Sequence, residues 1–140
     1  MSIEEKQRAI IDEFSMFDDW MEKYEYIIDL GKDLPQLSEN QKDDTQIIEG
    51  CQSRVWLKSE FNNDKMSFLA DSDAIITKGI IALLIQVLNN ETPQNIASSN
   101  LFFIDEIGLK EHLSPTRANG LLSMVKRIKM DAIKMVNSGK

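Results

Sequence analysis

Cysteine, histidine and proline are scarce in this chain, with one Cys, one His and three Pro among 140 residues. A single cysteine, Cys51, excludes an internal disulfide, and no secretory apolar segment follows Met1, so a reducing, cytoplasmic setting is expected. Positive charge is in deficit: 16 Lys and Arg face 23 Asp and Glu, for a net charge of -7. With no basic surplus to neutralise phosphates, neither nucleic acid nor an anionic membrane is expected as the main partner. The longest apolar run, Gly79 to Ile85, is far too short to span a bilayer. No glycine loop of the phosphate-cradling type is present. Cys51 and His112 are the only thiol and imidazole, whereas a closed zinc site takes four ligands, commonly Cys and His, so no metal is expected.

What is present is ordinary for a globular protein: 42% hydrophobic and 28% charged residues. The length predicts one domain, residues 1–140, with one sizeable core. Ser2 with Glu5 forms a capping box, and Asp18 or Asp19 opens a second helix, giving helices over about 3–16 and 19–30 with Gly31 as a left-handed stop. Pro35 marks an irregular crossing whose Leu34 and Leu37 reach the core, and Ser38 to Thr45 reads as a mobile polar loop. Three consecutive antiparallel strands are expected at about 46–48, 54–61 and 66–70. Asn62-Asn63-Asp64-Lys65 is the hairpin turn between the last two.

Asp71-Ser72-Asp73 is read as the cap of the helix Ala74 to Leu88, the central one because it is apolar on nearly all sides. Gly79 inside it costs about 1 kcal/mol relative to Ala, which close packing would compensate. Thr92-Pro93 and Ser114-Pro115 each pair a cap with a proline at the first helical position. The last helix buries Leu121, Val125, Ile128, Ala132 and Met135 and turns Lys126, Arg127, Lys129 and Lys134 to solvent. Strands between helical blocks predict an α+β fold, a three-stranded antiparallel sheet packed against helices.

The stretch Ile47 to Trp56 carries Cys51 between two strand-like ends, with Gly50, Gln52 and Ser53 suited to a turn. A lone thiol there is a nucleophile, a sulfur acceptor or an inert small hydrophobe; Gly50 beside it favours close approach by another molecule. His112 could serve Cys51 as a base, because such partners need not be close in sequence, or be a plain packing residue before a helix cap. Glu49 beside Cys51 would raise the thiol pKa rather than activate it. The site is expected near the Asp71-Ser72-Asp73 helix start.

Several stretches together resemble the SufE family of iron–sulfur cluster assembly. They are Tyr24 to Gly31, Leu34 to Leu37, Gly50 to Ser53 with Val55-Trp56, Ala70 to Ala74, Lys78 to Leu84, and His112 to Arg117 with Asn119-Gly120-Leu121. The hairpin turn lacks the glycine associated with that family, and the loop before Gly50 is unusually acidic. The resemblance implies a fold like that of the NifU and IscU proteins. It also implies that Cys51 accepts persulfide sulfur from a SufS-type cysteine desulfurase, a pyridoxal-phosphate enzyme, stimulates that enzyme, and passes the sulfur to a SufBCD-type scaffold. No cofactor of the chain's own is implied, so it would be a carrier and activator rather than an independent enzyme. Gln52, Arg54, Asp73 and Arg117 are candidate partner contacts. Two other functions stay open: a cluster scaffold of similar fold, which would want several thiolates, and a hydrolase using Cys51 and His112.

Overall fold

A computed structural model describes residues 2–34, 37, 42, 46–48 and 54–138. Cys51, Gln52 and the turn around them lie outside the described residues. Helix α1 (Ile3–Phe14) opens with the expected capping box: Ser2 N–H donates to Glu5 Oε1 at 3.0 Å and Glu5 N–H to Ser2 Oγ at 3.1 Å. The Ser2 N–H and Ser2 hydroxyl at Glu5 hold that carboxyl below its usual range. Helix α2 (Trp20–Lys32) is capped by Asp19, whose carboxylate accepts from Glu22 N–H at 3.0 Å.

Strands β1 (Val55–Asn62) and β2 (Lys65–Ser72) pair antiparallel, with Val55 opposite Ser72 and Asn62 opposite Lys65. Their turn is Asn63-Asp64, with φ of 54° and 65°, the doubly left-handed form that Asn and Asp tolerate. The buried face carries Val55, Leu57, Met66, Phe68 and Ala70. Phe61, expected on that face, is 42% exposed. The sheet has two strands among the described residues, not three. Where a first strand was expected, Ile47 makes a single antiparallel bridge to Trp56. Two ladder bonds support that bridge, from Ile48 N–H to Val55 O at 2.9 Å and from Leu57 N–H to Gln46 O at 2.8 Å.

Helix α3 (Ile75–Leu88) runs through the core, with 11 of its 14 residues buried. It packs along α2 at very short range. A Cβ on Gly79 would lie 2.2 Å from Ile27 O, and one on Gly31 2.9 Å from Gly79 N. Gly31 is therefore not a left-handed stop. It is helical, α2 continues to Lys32, and the missing side chain lets two helix backbones touch. Thr92 caps α4 (Pro93–Ser98) as expected. Short helices α5 (Phe103–Glu106) and α6 (Leu109–His112) meet at Gly108, whose φ is 73°. Helix α7 (Pro115–Ser138) buries Leu121, Met124, Ile128 and Ala132. Its basic side is only partly solvated: Arg127 donates to Ile47 O at 3.2 Å and pairs with Asp131, and Lys129 donates to Ser99 O.

Candidate functional site

Ile48 and Arg54, the described residues nearest to 49–53 in sequence, are both held at the start of β1. On one side, Ile48 is bonded to Val55 and Ile47 O is held by Arg127. On the other, the Arg54 backbone is fixed to the chain before α3. Arg54 N–H donates to Asp73 Oδ1 at 3.0 Å, Arg54 O accepts from Ser72 Oγ at 2.8 Å, and Asp73 N–H also points to Arg54 O at 3.3 Å. The structure thus joins two of the expected partner contacts, Arg54 and Asp73, beside the start of α3. Both are exposed.

Asp73 does not cap α3. The N-cap is Ala74, with no side-chain hydrogen bond, and Ser72 Oγ accepts from Ala74 N–H at 3.2 Å, too early in the chain to close the helix. Asp71 does not cap it either, because its carboxylate is committed to two cations. Lys42 Nζ is 2.7 Å from one oxygen and Lys78 Nζ 3.3 Å from the other, while Lys42 also lies 4.9 Å over the Trp56 ring. Burial pushes the Asp71 carboxyl up, but Lys42, the Ser72 N–H and Lys78 together outweigh it and hold it below the usual value. Lys42 is the one described residue between Ser38 and Thr45, and it is tied down, not solvated.

Arg117 sits in the first turn of α7, where its N–H donates to Ser114 Oγ at 3.3 Å. Its side chain is exposed and makes no ion pair among the described residues, so it is not part of an internal salt bridge there. Nor is it bonded to Arg54 or Asp73. His112 stacks on Trp20 with ring centres 3.9 Å apart, and its Nδ1 lies 3.0 Å from Gly108 O. A carbonyl can only accept, so this bond puts the proton on Nδ1. Tyr24 donates to His112 O. These contacts fit a packing role that ties α6 to α2. Among the described residues no three His, Cys, Asp or Glu side chains are grouped to hold a metal.

Sequence reasoning misses Lys42, Lys78 and Arg127 as neighbours of this region. Lys78 carries a signal in its position within the first turn of α3, where a cation is unfavourable unless an acid faces it. Lys42 and Arg127 act across long sequence separations and leave none.

The SufE family, an Fe-S metabolism associated domain, matches residues 8–132. An uncharacterized SufE-like protein of Rhizobium etli is 43% identical over 128 residues, covering 88% of this chain and 86% of its own. A second, from Rhizobium meliloti, is 38% identical over 128 residues, covering 88% and 91%. The chain belongs to the SufE family. Its role therefore lies in iron–sulfur metabolism. The fold is similar to the solution structure of a hypothetical protein from Thermus thermophilus, with a TM-score of 0.78, 17% identity, and 94% and 96% of the two chains covered. Cys51, Asp73 and Arg117 all fall inside the SufE match, as does the Arg54 anchor. No helix described is long and apolar enough to cross a membrane.

Proposed function

We propose that this protein is a sulfur carrier of iron–sulfur cluster assembly, with Cys51 as the acceptor. The observation that carries the reading is that the SufE match spans residues 8–132 and the chain has one cysteine inside it. In the reaction, the Cys51 thiolate attacks the outer sulfur of a persulfide on a SufS-type cysteine desulfurase. A new S–S bond forms at Cys51 as the donor's S–S bond breaks. The donor cysteine leaves with the electron pair as a thiolate, so nothing is oxidised or reduced overall. A second exchange passes the sulfur to a SufBCD-type scaffold. The exchange needs a thiolate and access and no cofactor on the carrier, and a reducing, cytoplasmic setting keeps the single thiol free.

The described residues that flank the Cys51 stretch in sequence fit this reading. Ile48 and Arg54, the described residues on either side of 49–53, are each held by backbone hydrogen bonds. Arg54, Asp73 and Arg117 are exposed, as partner contacts must be, and Gln52 adjoins the thiol in sequence. A cluster scaffold is the weaker reading, because such a site wants several thiolates and the chain has one.

The test is intact mass after incubation with a cysteine desulfurase, L-cysteine and no reductant. The wild type gains one sulfur atom, and Cys51→Ser loses both this gain and any stimulation of the desulfurase. An unchanged wild-type mass beside an active desulfurase overturns the reading.

A further inference from the structure

We propose that Ile75 is the apolar anchor through which the sulfur-donating protein docks beside the Cys51 segment; the inference rests on the carrier reading above. Ile75 is the first residue of α3 and is 68% exposed, while the helix it begins is otherwise the most deeply buried in the protein. The fold gives no reason for an isoleucine there. A helix start favours an acidic or capping side chain, and a β-branched residue is a modest helix former. The first turn of α3 has neither an acid nor a side-chain cap.

A single exposed apolar residue is ordinary on a protein surface. Position is what distinguishes Ile75. It follows Asp73 by two residues, and Asp73 holds the Arg54 backbone by both its carboxylate and its N–H. Arg54 in turn is the first described residue after the thiol segment. The exposed set is thus an isoleucine two residues along from an aspartate that holds the Arg54 backbone, an apolar residue with two charged ones beside it in the bonded frame. That is the composition of a docking patch, in which the buried apolar residue supplies most of the affinity and the rim charges supply orientation.

The occupant follows from the chemistry. Sulfur exchange requires two sulfur atoms from different proteins to come within bonding distance, so the donor's surface must cover the residues that frame the acceptor segment. The donor protein is therefore expected to offer a shallow apolar socket for Ile75, with an acidic group facing Arg54.

Titration of the full-length protein against a cysteine desulfurase tests this, with wild type, Ile75→Asp and Ile75→Ala compared. A carboxylate suits a helix N-terminus, so Ile75→Asp is expected to stay folded by circular dichroism. Its Kd for the desulfurase is expected to rise by roughly ten- to a hundredfold, the worth of burying an isoleucine side chain. For Ile75→Ala, which changes no charge, the loss should be similar at low and high salt, and alkylation of Cys51 by iodoacetamide in the isolated variant should be unchanged. Ile75→Ala should weaken binding less, and it decides the matter if Ile75→Asp does not fold. Folded variants that bind and gain sulfur like wild type overturn the role of Ile75 and leave the carrier reading standing. A wild type that gains no sulfur removes both.

Discussion

Replacing Gly79 by Ala sets two rules of opposite sign against each other. In a helix interior alanine is favoured over glycine by about 1 kcal/mol. At this position, however, the new Cβ would lie 2.2 Å from Ile27 O, 2.6 Å from Ile27 Cγ2 and 2.7 Å from Ile27 C. Ordinary contact begins near 3.4 Å, so α2 and α3 must separate by about an ångström. Two of the three obstructing atoms are backbone, which no rotamer change can move aside. Overpacking of this kind costs about 1–3 kcal/mol and occasionally more, and a backbone obstacle puts Gly79→Ala at the upper end. After the propensity gain, a net loss of about 2 kcal/mol is expected. For a chain of this size that lowers Tm by about 6 °C. Thermal unfolding followed by circular dichroism measures it, with urea unfolding to check that the m-value is unchanged. Gly31→Ala meets its nearest atom at 2.9 Å and should cost less than Gly79→Ala. A Gly79→Ala protein as stable as wild type, or more so, would refute the close-packing account.

Three further outcomes are expected. Asp71 is held below the usual 3.8, so its ionised form stabilises the fold fully above that value and the contribution is lost as pH falls through the lower folded value; the stability gap between wild type and Asp71→Asn should close over that acid range, and a gap that stays constant with pH would sink the idea. Arg127→Met removes the donor to Ile47 O and leaves Asp131 with Ser59 as its remaining hydrogen-bond partner, so stability should fall by about 1–3 kcal/mol and amide exchange at Ile48 and Leu57 should quicken; unchanged exchange at both would count against the anchor. Asp73→Arg should change desulfurase affinity in a salt-dependent way, with Asp73→Asn as a control that keeps an acceptor for Arg54 N–H; a folded Asp73→Arg protein that binds like wild type at both salts would take Asp73 off the docking face.

What is legible in the sequence is local. The Ser2–Glu5 box, the Asp19 and Thr92 caps and the Asn63-Asp64 turn each depend on residues three or four apart, and each forms as expected. Gly79 is also readable, because a costly glycine in a buried helix implies a close neighbour. Gly31 misleads because a helix stop and a helix contact ask for the same missing side chain, and only the facing backbone distinguishes them. The expected first strand shrinks to one bridge because its partner bonds reach only from Gln46 to Ile48 among the described residues. Lys42 and Arg127 look solvated from their neighbours in sequence; their partners Asp71 and Ile47 are brought by the fold. The helix Ala74 to Leu88 reads as apolar on nearly all sides, yet Ile75 at its start is exposed, since burial at the first position of a helix depends on what lies beyond its end. At the site, the sequence marks Arg54 and Asp73 as neighbours of the thiol stretch, while their direct hydrogen bonding emerges only from the fold.

The two-stranded sheet has both long edges partly occupied. Gln46 to Ile48 bond to β1, and on the other side Met66 exchanges bonds with Asn90 and Glu91 while Phe68 N–H donates to Asn89 Oδ1. A visiting strand running along either edge would first have to displace one of these segments. Recognition by strand addition, the route by which many extended peptides join a sheet, is thereby disfavoured, and the same occupancy guards a small sheet against pairing with its own copies. Whatever docks on this protein must read side chains and not an open backbone ladder.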